Sequence, residues 1–356
     1  MSPEAWVPTK HSLRPIQAMV SEALVQMLGR LEKYSQTGCP SIAWERLIRA
    51  LPQVLYSIRS ERSLVEQLEY KLLFRWFVGL SVDEPVWDHS TFGKNRDRLI
   101  GAAVARELFD AIAEQVRMAG FLSDERFSVD GTMFEAWASH NRLRPRDGLG
   151  GRPRIAGRNA VRHFHRESCT KDTHASTTAP EVRRYKKSGG TTAKLTNLLH
   201  AVSGSRRSLI VAAQVIQANC TAKRSAAMEM LKYLRAPQHG TSGTDKGHDA
   251  RCFVGKARTV HVNPQVAKNI ERPGGSAINS RATRRTDYTL SVKARKLIEE
   301  SFRLRTDIGL CGRSKLRDRR NIEAEALRIF TGYNLALMRY VLMARFTWQG
   351  TRRSQA

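Results

Sequence analysis

The chain has 356 residues, and 60 Lys and Arg against 33 Asp and Glu leave a formal net charge of +27. A hydrophobic content of 41% over that length provides cores for about two domains, which excludes a disordered basic tail. Such self-repelling charge points to a polyanionic neighbour, either nucleic acid or an anionic membrane surface.

No run of about 18 apolar residues occurs, and the richest stretch, Leu72 to Leu80, is interrupted by Arg75, so a spanning helix is not expected. The opening MSPEAWVPTK has no basic stretch leading into an apolar core, which gives the expectation of an intracellular, cytoplasmic protein. Cys39, Cys169, Cys220, Cys252 and Cys311 are scattered without a CxxC pair and read as reduced thiols.

Residues 13 to 120 read as helix almost throughout. Leu13, Ile16, Met19, Val20 and Leu24 recur at three- and four-residue steps, as do Leu47, Leu51, Val54, Leu55 and Ile58. Ser41 is the expected start of the second helix, and Pro52 within it predicts a kink or a break. Past Gly79 a turn-like DEPVWDHSTF precedes a further helix for which Ser90 or Thr91 is the expected cap.

The pattern changes at Phe127. Phe127 and Val129 alternate with polar residues and predict a strand with Asp130 at its end. Between Asn141 and Gly190, thirteen basic residues, Lys186 and Lys187 among them, face four acids with little apolar periodicity. A solvated loop and a DNA-contacting insertion both fit that stretch, and the charge favours the second.

Leu195 to Val202 and Leu209 to Ile216 then predict a hairpin turning at Ser203-Gly204-Ser205. A helix capped by Thr221 carries Ala227, Met230, Leu231 and Leu234. The polar segment GTSGTDKGHD, poor in strand character, sets Asp245 ahead of a helix with Phe253 and Val254. A strand is expected over Thr259 to Val266, a helix from Ser291 to Thr306, and a last amphipathic helix over Ile322 to Met343.

Asp130 after the first strand, Asp245 before a mid-chain helix and Glu299 on the late helix form a candidate set of converging carboxylates. Hard divalent cations take oxygen ligands, and two such ions activate an attacking oxygen while stabilising the leaving one in phosphodiester cleavage. Taken singly, an Asp-Gly-Thr triplet is most often an ordinary turn and Glu299-Glu300 a solvated helix face. Arg295, four residues before Glu299, can orient that carboxylate, grip a phosphate, or form a surface ion pair of no consequence. Lys246, beside Asp245, can steady a phosphate.

The stretches LRPIQAMVSEAL, LPQVLYSIRSERSLVEQLEYKLLFRWFVGL, DEPVWDHSTFGKNRDRL and FSVDGTMFEAWASHNRLRPRDG resemble bacterial insertion-sequence transposases of the InsH type, in the DDE superfamily. The resemblance continues through RNAVRHFHRESCTKDTHASTT, YKKSGGTTAKL, TDKGHDARCFV and ARKLIEESF to GYNLALMRYVLM, nearly the whole chain.

It implies an α/β architecture: an all-helical DNA-binding domain over 1–120, a ribonuclease-H-like mixed-sheet catalytic domain over 121–345 with a basic insertion at about 141–190, and a basic tail over 346–356. It implies that Asp130, Asp245 and Glu299 are the catalytic, metal-holding acids, with magnesium, or manganese in its place, as cofactor. Arg295, Lys246, Arg305, Lys186, Lys187, Arg313 and Lys315 are then the expected phosphate contacts. The implied activity is binding of an element's terminal inverted repeats, followed by cleavage and transfer of duplex DNA strands into target DNA. The implied form is a homo-oligomer on DNA, associated with the bacterial nucleoid and with no membrane.

Several positions depart from the family pattern. Thr306 stands where a lysine is usual, with Arg305 before it, Val292 where an aromatic is frequent, and Leu304 where a tryptophan is familiar. Pro52 and the polar segment before Asp245 depart as well. These keep open a second reading, a catalytically impaired or domesticated descendant that acts as a DNA-binding protein.

Overall fold

A computed structural model describes residues 3–35, 42–101, 103–122, 126–136, 143–145, 174–177, 179–186, 192–219, 221–233, 240–271, 274–307, 313–314, 316 and 318–353. Helices come first: α1 (Leu13–Ser35), α2 (Trp44–Ile48), α3 (Pro52–Leu55), α4 (Glu61–Tyr70), α5 (Leu72–Val78), α6 (His89–Gly101) and α7 (Val104–Met118). The stripe on α1 is buried as its spacing dictates, from Leu13 and Ile16 through Val20 to Leu24 and Met27.

Pro52 breaks the second helix rather than bending it. It is the first residue of α3, with Leu51 as N-cap, where its missing N–H costs no intrahelical bond. Ser41 lies outside the described residues, and α2 starts at Trp44 without a side-chain cap. Asp88, not Ser90 or Thr91, serves the start of α6: its Oδ1 accepts from the Ser90 N–H at 2.8 Å.

The rest of the chain builds a sheet and its covering helices. In order these are β1 (Arg126–Ala136), β2 (Leu143–Pro145), β3 (His174–Ser176), β4 (Arg183–Tyr185), β5 (Lys194–Gly204), β6 (Ile210–Gln217), α8 (Ala222–Tyr233), β7 (Thr241–Thr244), α9 (Arg251–Thr259), β8 (Asn263–Val266), α10 (Ser280–Thr283), α11 (Thr286–Arg295), α12 (Ile298–Asp307), β9 (Arg313–Ser314) and α13 (Arg319–Arg353). The fold is mixed α/β. The main sheet runs β4-β5-β1-β7-β8, with β6 also on β5 and β9 also on β1, while β2 and β3 pair separately.

β1 is antiparallel to β5 and parallel to β7, and β7 is parallel to β8. On the edge of β1 away from β5, β7 pairs only with Arg126 to Ser128 and β9 only with Glu135 and Ala136, so no described strand pairs there with Val129 to Phe134.

Both faces of the sheet are covered, which is why β5 reads as a nearly unbroken buried run. Phe134, Leu199, Ala201 and Val215 pack on one face with Ile298, Phe302 and Phe330. Val129, Val202, Ala227, Leu231, Phe253 and Val254 form the core of the other. α13 joins the helical and sheet regions, since Leu335 and Met338 share a cluster with α1 and α7. Its Asn334 brackets Ile210, accepting from the backbone N–H at 2.9 Å and donating to the carbonyl at 2.7 Å. Arg106 donates to the Ala213 carbonyl at 2.8 Å and Glu323 accepts from the Val215 N–H at 3.3 Å. These side chains satisfy part of the outer edge of β6.

Further expectations need correction. The β5–β6 hairpin turns over residues 205–209 and not at Ser203-Gly204-Ser205, because Ser203 still pairs with Ile210. β1 does not end at Asp130 but continues to Ala136, because β5 keeps pairing with it. Asn219, not Thr221, caps α8, accepting from the Thr221 N–H at 2.9 Å; Leu234 lies outside the described residues. The strand expected from Thr259 begins at Asn263, because Thr259 still closes α9. The helix expected over Ser291 to Thr306 is two, α11 and α12, separated by tight turns in which Lys296 and Leu297 donate back to Lys293 and Ala294.

The polar segment before Asp245 does form a strand. A side chain at Gly243 would bring its Cβ to 2.9 Å from the Ser291 carbonyl oxygen, so α11 lies too close for anything larger. The final helix extends past both expected ends, from Arg319 to Arg353. No helix of the described residues is long and apolar enough to cross a membrane.

Candidate active site

Parallel pairing sets the site's geometry. Ser128 is in register with Gly243, so Asp130 and Asp245, each two residues further on, leave the ladder at the same level of neighbouring strands. β7 ends at Thr244, and Asp130 faces the stretch of β1 edge that it vacates.

Asp130 is mostly buried, its side chain 13% exposed. Its Oδ1 accepts from the Gly131 N–H at 2.7 Å and its Oδ2 from Arg295 Nη1 at 3.2 Å. Burial raises its pKa above the ordinary carboxylate value; the Gly131 bond opposes this, and the neighbouring Asp245 charge adds to it.

Asp245 caps the single 3-10 turn Lys246–His248, accepting from the Gly247 N–H at 3.0 Å. His248 Nδ1 lies 2.6 Å from the same oxygen. An ionised carboxylate only accepts, so His248 donates through Nδ1. Lys223, at the start of α8, reaches the other oxygen at 3.4 Å. Burial alone would raise this carboxyl, but the His248 bond and the cations outweigh it and hold it well below the ordinary value.

Glu299 joins through Arg295. The guanidinium that donates to Asp130 also has its Nη1 3.7 Å from Glu299 Oε1. The four-residue spacing survives the break between α11 and α12, because the intervening turns keep the chain coiled. Glu299 is largely exposed.

Lys246 is exposed in the turn after Asp245, and Lys186 is exposed just past β4. Arg305 falls in α12 and Arg313 in β9, but their side chains lie outside the described residues, as do Lys187 and Lys315 entirely. Most of the basic stretch from Asn141 to Gly190 also lies outside, apart from β2, β3 and β4 with their flanks.

Sequence reasoning missed Lys223, His248 and His200. His200 is fully buried in β5, and neither ring nitrogen is hydrogen-bonded to a described residue. Its ring lies against Gly131, where an added Cβ would come within 2.2 Å of Nδ1. The Asp-Gly-Thr triplet therefore holds glycine for the ring's sake, not for a turn. Burial first, then the influence of His248 and Lys223, drives the His200 pKa from 6.5 down to about 3, so the ring is neutral at physiological pH. One signal was legible: a histidine set inside the apolar run Leu198 to Val202.

Asp249, the second acid of TDKGHD, is structural. Its oxygens accept from the backbone N–H groups of Asn269 at 2.7 Å and Ala277 at 2.8 Å, which ties down the loop after β8.

Comparison with known proteins matches residues 1–98 to the family described as "Transposase domain (DUF772)". No curated protein matches the chain. Among solved structures the chain is similar to "Mos1 transposase paired-end complex with left transposon end", at 10% identity and a TM-score of 0.21, over 81% of this chain and 87% of that one. So low a score carries no structural argument. The family match supports a transposition-related role; it takes in α1 to α5 and most of α6 and stops ahead of Asp130.

Proposed function

We propose that the chain is a DDE transposase of the InsH type, which binds the terminal inverted repeats of an insertion element and cuts and joins DNA strands by metal-dependent phosphoryl transfer. The observation that carries this reading is the placement of Asp130 and Asp245 at one level of adjacent parallel strands, with Arg295 linking Glu299 to Asp130. The transposase-domain match over residues 1–98 supports it, and the mixed sheet with Asp130 on a central strand supports a ribonuclease-H-like catalytic domain from about residue 121.

Carboxylate oxygens are the kind of donor that a hard divalent cation takes. Two aspartate carboxylates lie near enough that the charge of Asp245 resists ionisation of Asp130, a repulsion that a dication relieves. Among the described residues no group of three or more His, Cys, Asp and Glu is gathered to hold an ion, so Glu299 is the third carboxylate only through Arg295. Asp130, Asp245 and Glu299 would hold magnesium, or manganese in its place. Bound there, such ions supply activation of the attacking oxygen and support for the leaving one.

The chain's own cations perform the rest. Arg295 offers a fork that can pass from carboxylate to phosphate, and Lys223 sets an ammonium beside Asp245, where the scissile phosphate's charge needs neutralising. The partners on this reading are duplex DNA, as terminal repeats and as target, and further copies of the chain assembled on it, in a bacterial cytoplasm at the nucleoid.

The test is magnesium-dependent cutting of a supercoiled donor plasmid carrying the element's ends. Asp130→Asn is expected to lose at least about a thousandfold in rate, as removal of a principal charge-stabilising group does. Equal cutting by the variant and the wild type refutes the assignment.

A second reading, an impaired or domesticated DNA-binding protein, is favoured by one observation: Arg295 and Lys223 are already paired with the two aspartates. Its outcome is salt-sensitive DNA binding with no cutting under any divalent metal.

A further inference from the structure

Between α8 and α9 runs a groove of about 520 Å³. Phe253 is buried at its base, and Arg224, Lys232 and Lys256 line it against a single acid, Glu229. Glu229 is engaged by Gln214, which donates to it at 3.3 Å. The three cations make no ion pair or side-chain hydrogen bond with a described residue. Three like charges gathered along one cleft repel one another, and the fold provides no internal compensation for them.

Both helices that form the groove start near the candidate site. Lys223, which reaches Asp245, is the residue before Arg224 on α8, and α9 begins six residues after Asp245. A duplex held with one phosphate at the aspartates would therefore have these cations close to its flanking phosphates.

We infer that the α8–α9 groove binds the sugar-phosphate backbone of duplex DNA flanking the scissile phosphate, with Arg224, Lys232 and Lys256 each taking a phosphate. The inference rests on the proposed function for its ligand. A membrane surface fits poorly, because the cleft is concave and its aromatic side chain is buried rather than presented. A lone anion does not need cations spread along two helices, whereas a phosphodiester chain does.

Each phosphate neutralised releases counterions, so log K against log salt changes by about 0.9 per contact. In binding of a 30-base-pair duplex by the full chain across a potassium chloride series, Arg224→Gln with Lys232→Gln and Lys256→Gln is expected to flatten the slope by about 2 to 3. Glu229→Gln is expected to tighten binding severalfold. An unchanged slope in a triple variant whose circular dichroism and melting match wild type overturns the inference.

Cys252 is exposed and lines the same groove, which permits a test without altering a cation. Duplex DNA is expected to slow alkylation of Cys252 by a maleimide at least fivefold, read by mass spectrometry of its peptide. Unslowed alkylation at saturating DNA overturns the inference, as does protection by structured RNA but not by duplex DNA. Failure here is separable from failure of the proposed function. Asp130-dependent cutting with an unchanged salt slope removes the groove alone, and a flattened slope without such cutting removes the chemistry alone.

Discussion

Asp130 within β1 and Asp245 just past the end of β7 stand at the same level, yet their surroundings act on them in opposite directions. Asp130 is raised by burial and by the nearby Asp245 charge, which Arg295 offsets only in part. Asp245 feels burial too, but His248 and Lys223 overcome it and keep the carboxylate ionised. The difference lies in which helix each residue meets: Asp130 faces the end of α11, while Asp245 opens a turn that brings His248 back onto it and lies against the start of α8. Two acids of one chemical type, driven apart by environment, are suited to different parts in one reaction.

The sharpest way to break the comparison is through Gly131. The space a Cβ at residue 131 would fill is taken by the His200 ring, and that ring is fully buried in a paired strand. Gly131→Val is expected to cost about 3 kcal/mol or more in urea unfolding, the upper range for overpacking. A cost under about 1 kcal/mol would show that the ring moves freely and does not fix β1 beside β5.

Next in size is the contrast between the aspartates themselves. Asp245→Asn removes the charge that His248 and Lys223 hold, and is expected to cost about 1–3 kcal/mol, the range for hydrogen bonds to charged groups. Asp130→Asn removes a carboxylate that its surroundings disfavour and is expected to change stability by less than about 1 kcal/mol. Equal costs would erase the distinction. The pH dependence carries opposite signs. The raised Asp130 weakens the fold as pH climbs from the usual carboxylate value through its own higher one, and the lowered Asp245 contributes stability above the usual value that is lost as pH falls.

His200 gives a third effect, read in the pH dependence of stability. With a folded pKa near 3 against 6.5 when unfolded, its neutral ring contributes stability that is full above about pH 6.5 and declines as pH falls toward 3. His200→Gln is expected to flatten the stability profile over that window by up to about 1.4 kcal/mol per pH unit, one proton's worth. A profile parallel to wild type would place the ring outside this coupling. Smallest is Arg295→Lys, which replaces a fork touching two carboxylates with a point charge and should cost less than about 1 kcal/mol. By carboxyl-carbon NMR the Asp130 midpoint is expected to rise, because Arg295 lowers it. No movement would mean that the guanidinium is not felt there.

Much of the framework was legible along the chain because its signals are local. The stripe on α1, the break at Pro52 and the β5–β6 hairpin each follow from spacing or backbone chemistry within a few residues. β7 was not legible, because its small polar residues answer to α11, almost fifty positions later. The end of β1 was misread for a similar reason: Gly131 reads as a turn until His200 is placed against it.

The candidate site divides in the same way. Residue type and motif marked Asp130, Asp245, Glu299 and Arg295, since carboxylates and an arginine at helical spacing are visible in one dimension. By itself the sequence determined the excess of positive charge, the helical first third, and the acids available for chemistry. Only the tertiary structure decided that two acids share one level of adjacent strands, that Lys223 and His248 hold one of them ionised, and that a basic groove forms between α8 and α9. Those outcomes depend on strand register and on side chains from distant elements meeting at short range, where desolvation and Coulomb forces are strong and sequence separation has no bearing.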